Sequence, residues 1–203
     1  MRALSVLREI TGKIAPGRPP AYTLAHALMG LEMIGAGLGV GRQQLSRELK
    51  LGEGTIRTMV TRMKSLGLVE ATRGGMSLTE EGREVLAEAN QMISSSEIPE
   101  TSLTVGSNNH AVLVRGASAK VVLGIEQRDA ALIAGALGAT TLIREGGGLL
   151  IPGTSEELDP EIRRLILARL SPGEGDAIII GSSGDPYLAE LGAKTAALEL
   201  LRD

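Results

Sequence analysis

The stretch "LKLGEGTIRTMVTRMKSLGLVEATRGGMSLTEEG", residues 49–82, constrains the fold more than any other part of the chain. Ile56, Met59, Val60, Met63 and Leu66 recur at three- and four-residue spacing and fall in one arc of a helical wheel. The spacing predicts a helix over about 53–66 that buries this arc. Gly54, Thr58, Thr61 and Ser65 then lie on the opposite side, flanked by Arg57, Arg62 and Lys64. Upstream, "RQQLSRELK" places Leu45 and Leu49 at i and i+4, a second short helix, and Leu51-Gly52 reads as the tight turn between the two. Downstream, "LVEATRGGMSLT" reads as two short strands around Arg73-Gly74-Gly75, since paired glycines permit the positive backbone angles of tight turns. Thr79 is placed to cap a further helix reaching about residue 92.

Residues 21–35 add one more helix, with Leu24, Leu28, Leu31 and Ile34 as its apolar stripe, Pro19-Pro20 before it and Gly35, Gly37, Gly39 and Gly41 after it. The resulting order, helix, helix, glycine-containing turn, helix, two-stranded wing, helix, resembles the winged helix-turn-helix domains of transcription regulators over roughly residues 20–93. The likeness rests on the combination of "LKLGEGTI", "MKSLGLVE", a wing and "SLTEEG". It implies double-stranded DNA as the partner.

The residues support that chemistry independently. A helix fits the major groove, where the hydroxyls of Thr58 and Thr61 reach base edges and their methyls meet thymine methyls. Gly54 and Thr55 open the helix, and glycine there lets the backbone approach the groove. Arg57, Arg62 and Lys64 reach phosphates or, for arginine, guanine. Arg73 at the wing tip reaches a phosphate or an adjacent minor groove, and Arg42, Arg47 and Lys50 position the domain on the backbone. Lys13 and Arg18 are candidates for an N-terminal arm. Glu53 suits the helix dipole but not a neighbouring phosphate, so it reads as structural or as a cytosine acceptor. An exposed basic helix face is also what ordinary solvation produces, so protein contact and structured RNA stay open.

Charge divides the chain. Through Ser94 there are twelve Lys and Arg against nine Asp and Glu, a net of +3, whereas the remainder carries nine against fifteen, a net of −6. "SSSEIPETS" is polar and contains proline, so the boundary is expected there, giving a DNA-binding domain at 1–94 and a regulatory or dimerisation domain at 95–203. Phe, Trp and Cys are absent and Tyr occurs only at Tyr22 and Tyr187. Base stacking is therefore nearly unavailable, against single-stranded nucleic acid, and no disulfide, thiol nucleophile or thiolate metal site can form. No apolar run approaches the roughly 18 residues of a membrane span, and no signal sequence is read, so a cytoplasmic protein is expected.

In the acidic half, "TSLTV" and "HAVLVRG" read as strands, "GIEQRDAALIAGALG" as a helix with Ile125, Ala130, Ile133 and Leu137 inward, and "ATTLIREGGGLLIPG" as a hairpin around residues 146–148. "DPEIRRLILARL" reads as a helix capped by Asp159, "DAIIIGSS" as a buried strand, and Asp185-Pro186 as the start of the last helix. The sum is an α+β chain whose second half is a layer sandwich, with a partly parallel sheet still open. "GSSGDP" offers Gly181, Ser182, Ser183 and Asp185 between a strand and a helix start, where free amides can hold an anion. His110, Arg115, Glu126, Arg128 and Asp129, with Gln127, can line a small polar pocket if the strand end meets the helix start; a charged helix face is the alternative. No Ser/His/Asp set or carboxylate pair is spaced for catalysis, so neither an enzyme nor a cofactor or metal is expected.

Through "HAVLVRG", "GIEQRDAA", "GATTLI" and "DAIIIGSSGDPYLAELGAKTAALELL" the chain resembles a family of uncharacterised archaeal proteins that join a winged helix to a C-terminal domain of unknown function, of the DUF4443 type. That resemblance implies an α+β second domain, similar to small domains inserted in some aminoacyl-tRNA synthetases and amidotransferases. The combined expectation is a homodimeric DNA-binding transcription regulator whose second domain dimerises or senses a small anionic metabolite. The alternative is an RNA- or translation-associated protein using the winged helix on structured RNA.

Overall fold

The computed structural model describes residues 2–12, 19–37, 39–154 and 158–202, which divide into two compact units, Met1–Asn90 and Gln91–Asp203. Lys13 and Arg18 lie outside the described residues.

The first unit holds α1 (Arg2–Thr11), α2 (Leu24–Gly35), α3 (Arg42–Glu48), α4 (Glu53–Ser65), the hairpin β1 (Val69–Thr72) and β2 (Gly75–Leu78), and α5 (Glu80–Met92). The first helix is not among the sequence expectations, although Leu4, Leu7 and Ile10 recur three apart and are all buried. It docks on α2 and α4 and is tied to α5 by Arg2, which pairs with Glu81, Glu84 and Glu88. Thr23 precedes α2 and forms a reciprocal cap with His26, whose ring Nδ1 accepts from the Thr23 N–H at 3.1 Å. Burial holds the His26 pKa below its ordinary value. Between α3 and α4 it is Lys50, not glycine, that takes the left-handed conformation (φ 49°), and Gly52 is the extended N-cap of α4.

The second unit is a five-stranded sheet in the order β3-β4-β7-β5-β6, every pair antiparallel. Its strands are β3 (Ile93–Ile98), β4 (Asn108–Val114), β5 (Gly138–Glu145), β6 (Gly148–Leu150) and β7 (Ala177–Ser183), and its helices are α6 (Ile125–Ile133), α7 (Pro160–Leu170) and α8 (Pro186–Leu200). Side chains alternate across a strand. Ala111, Leu113, Ile178 and Ile180 therefore share one face, where they pack with Ile162, Ile166 and Leu170 of α7. Gly181 lies on the other face, and an added Cβ there would sit 2.4 Å from the Ala189 carbonyl oxygen, so α8 is seated on the β7 backbone. The layers are α7, sheet, and the α6/α8 pair. Asp159 caps α7, accepting from Glu161 N at 2.8 Å.

Three sequence readings are corrected. Ser94–Glu97 belong to an edge strand paired with β4 rather than to a loop: an edge strand tolerates polar residues because one side of it faces water. Residues 101–105 are a turn, with Thr104 N donating to Thr101 O at 3.1 Å, not a strand. On α6 the expected inward residue Ala130 is buried, but Ile125, Ile133 and Leu137 are exposed, and Gln127 and Ala131 are buried instead. The reason is on α8, where Gly192 lets α6 and the turn after it come so close that only small side chains fit between them: a Cβ on it would lie 3.4 Å from Ala131 Cβ and 2.7 Å from Ala136 Cβ.

Candidate nucleic-acid interface

On α4 the buried arc is Ile56, Met59, Val60 and Met63, against α1, α3 and β1. The opposite face presents Gly54, Arg57, Thr58, Thr61 and Lys64 to solvent, with Thr55 half-buried. The Thr58 hydroxyl donates to Gly54 O at 3.1 Å, which fixes its rotamer while the residue stays exposed. Arg42, Arg57, Lys64 and Arg73 are exposed cations with no ion pair among the described residues. Arg47 is exposed but bridges Glu48 at 3.0 Å, so its charge is partly answered at home. Lys50 is exposed in the strained corner between α3 and α4.

Arg62 does not belong to this face. Its side chain is buried, and Nη1 donates to Ile10 O at 2.5 Å, the same carbonyl that accepts from the Tyr22 hydroxyl at 2.9 Å. Arg62 borders the apolar arc and is covered by α1, so it clamps that helix rather than reaching a duplex.

Gly54 has a negative φ and an added Cβ would meet nothing within 4 Å, so the fold does not require glycine there. Glycine in a helix costs about 0.5–1 kcal/mol against alanine. Gly54→Ala is therefore expected to raise stability by about 0.5 kcal/mol in urea melts while weakening duplex binding several-fold. Equal or tighter duplex binding by the alanine variant would rule out close backbone approach at this point. The N-cap Gly52 contributes no side-chain hydrogen bond, which leaves the first amides of α4 open to an outside acceptor.

The hairpin is fixed close to its turn. Val40 and Met76 exchange hydrogen bonds of 3.2 and 3.0 Å. Gly75 (φ 136°) would bring a Cβ to 2.8 Å from the Gly39 carbonyl carbon, so of the two adjacent glycines this one carries the close approach. Arg73 is left at the exposed tip.

The second unit does not gather its candidates into one pocket. His110 lies on the α8 face of the sheet; its Nε2 is buried without a partner. Burial pulls its pKa down to about 4, with Lys194 adding to the shift and Glu190 opposing it. Arg115, five residues further on and so about 16 Å away along a strand, pairs with Asp176 at 3.7 Å. Asp176 is itself held by the amides of Gly116 and Gly173, both at 2.8 Å. Glu126, Arg128 and Asp129 lie on the exposed side of α6, where Arg128 and Asp129 pair at 3.3 Å.

The expected anion cradle at "GSSGDP" is also corrected. Gly181 serves the close contact with α8, while Ser182 and Ser183 are buried in the ladder. The Asp185 carboxylate accepts from Tyr187 N at 3.0 Å, so a negative charge of the chain's own already occupies the helix start. A cavity of about 470 Å³ does lie beside it, lined among others by Glu97, Asn109, His110, Arg169 and Ala189. Asn109 is buried with its Oδ1 unpartnered, and neither it nor Arg169 is flagged by any motif; Asn109 precedes His110 in the chain, and the fold brings Arg169 to the same cavity.

Among the described residues no helix is long and apolar enough to cross a membrane. No curated protein matches the chain. Among solved structures it is similar to a hypothetical protein from Pyrococcus horikoshii OT3, with 26% identity and a TM-score of 0.73 over 88% of this chain and 92% of that one. Residues 30–93 match the family model of the CggR N-terminal DNA binding domain, and residues 105–200 match that of a domain of unknown function, DUF4443.

Proposed function

We propose that the chain is a transcription regulator that reads duplex DNA with α4 in the major groove and touches the flanking backbone with Arg73, as a winged helix-turn-helix. The observation that carries this is the outward face of α4: small and hydroxylated at Gly54, Thr58 and Thr61, cationic at Arg57 and Lys64, at a helix start with open amides. The match of residues 30–93 to a DNA-binding domain model supports the same reading. The second unit, in this proposal, supplies dimerisation and effector sensing. The cavity beside His110 supports the sensing role through its unpartnered Asn109 Oδ1 and the cationic Arg169. Two reading helices on a two-fold axis would meet half-sites about 34 Å apart.

The test is footprinting on duplex fragments followed by salt titration. The variant carrying Arg57→Ala and Arg73→Ala is expected to bind about 10- to 100-fold more weakly, with a salt slope lower by about 2, since each phosphate contact contributes about 1. Absence of salt-dependent duplex binding by the wild-type chain, or preference for structured RNA in competition, would sink the proposal.

A further inference from the structure

Helix α6 carries its large aliphatic residues on the wrong side for a surface helix. Its inward face is Gln127, Ala130 and Ala131, whereas Ile125, Leu132 and Ile133 face solvent, Ile133 at 88% exposure. The chain on either side continues the pattern, with Val122 and Leu123 before the helix and Leu137 after it, and Val105 rests against Gly138 next to Leu137. Isolated exposed aliphatics are ordinary, but six from one helix and its flanks, with Val105 beside them, are not. Their uncovered surface sums to roughly 700 Å², more than the about 300–600 Å² of the largest apolar patch on a typical monomer. It approaches the about 800 Å² that each partner contributes to a stable protein pair.

We propose that this band is the interface with a second copy of the chain, formed by α6 against α6 about a two-fold axis. Area is one argument and charge is the other. Arg128 flanks the apolar stripe on one side and Glu126 on the other, with Asp129 within the stripe toward the Glu126 side. When two such stripes face each other with their helices parallel, the basic flank of each copy lies beside the acidic flank of the other. Arg128, which among the described residues pairs with its exposed neighbour Asp129, is then placed between the second copy's Glu126 and its own Asp129. A two-fold contact also requires the same patch to serve both sides, and a stripe with opposite charges on its two edges meets that condition.

The inference deepens the proposed regulator by assigning its dimer contact. Its test uses the full chain without DNA, so failure of self-association and failure of DNA binding are separate results. Sedimentation equilibrium of the wild-type chain from low to high micromolar concentration is expected to show a dimer. Ile133→Glu and Leu137→Glu are expected to weaken self-association by roughly 100-fold or more, with unchanged far-UV circular dichroism because both side chains are exposed. Ile133→Leu is expected to keep the dimer. Since the chain contains no cysteine, Ile133→Cys is expected to give a disulfide-linked dimer on mild oxidation, and Arg163→Cys on α7 is not. A wild-type chain that stays monomeric throughout overturns the proposal. So does a dimer that survives both glutamate variants, which would move the contact to another surface such as the open edge of β3.

Discussion

Gly82→Ala is expected to lower the stability of the first unit by about 3 kcal/mol or more, a large part of what holds a domain of this size together. The glycine sits in the first turn of α5, where an added Cβ would lie 2.0 Å from the carbonyl oxygen of Leu68 and 3.0 Å from its carbonyl carbon. The obstructing atoms are backbone, so no rotamer change relieves the clash. That carbonyl also accepts from Thr79 N at 3.0 Å, and Leu68 N donates to Met63 O at 2.9 Å. Moving Leu68 therefore disturbs the end of α4, the base of the hairpin and the cap of α5 together. Gly74→Ala is the control: its glycine has a negative φ and open space, so a change within about 0.5 kcal/mol is expected. Urea melts monitored by circular dichroism compare the two, and a loss under about 1 kcal/mol for Gly82→Ala would mean that α5 shifts freely at its start.

The second large effect separates structure from recognition. Arg62→Ala is expected to cost about 2–4 kcal/mol, because it removes a buried side chain and the hydrogen bond that ties Ile10 O to α4. The guanidinium also sits at the C-terminal end of α1, where the helix dipole favours a cation. Burial raises the Tyr22 pKa while the adjacent Arg62 charge opposes the rise, so the two side chains share one buried polar spot. Hydrogen exchange is expected to quicken selectively in α1. Arg57→Ala, on the exposed face, is expected to change stability by less than about 0.5 kcal/mol and to weaken only duplex binding. If instead Arg62→Ala melted like wild type and lost DNA binding specifically, the clamp assignment would be wrong.

These two residues also mark where the sequence was legible. Helix α4 could be read because an apolar arc, buried at Ile56, Met59, Val60 and Met63, has one period and one face. Spacing alone places Arg62 on the outward face wrongly, because it borders that arc and its exposure is decided by α1, a short helix with few signals of its own. In the second unit, cap chemistry at Asp159 and Asp185 and the apolar run of β7 were plain. The orientation of α6 was not, because periodicity tells which residues share a face but not which face is covered. Gly192 decides that from another helix. "GSSGDP" misled for a related reason: glycine between strand and helix serves close packing as readily as anion binding, and the difference lies in what stands opposite.

The glycine and alanine seam under α8 has a mechanical consequence. Gly181, Ala189 and Ala193 seat the helix on the strand, and Gly192 with Ala131 and Ala136 seats α6 on the helix. At Gly181 and Gly192 there is no room even for a Cβ, and packed interiors compress very little. Pro186 and Ala189, at the start of α8, also line the cavity beside His110. An occupant that wedged this end of the helix outward would bear on these close contacts and, through Gly192, on the segment of α6. Close glycine and alanine contacts thus run from the helix that lines the cavity to the helix that carries the apolar band.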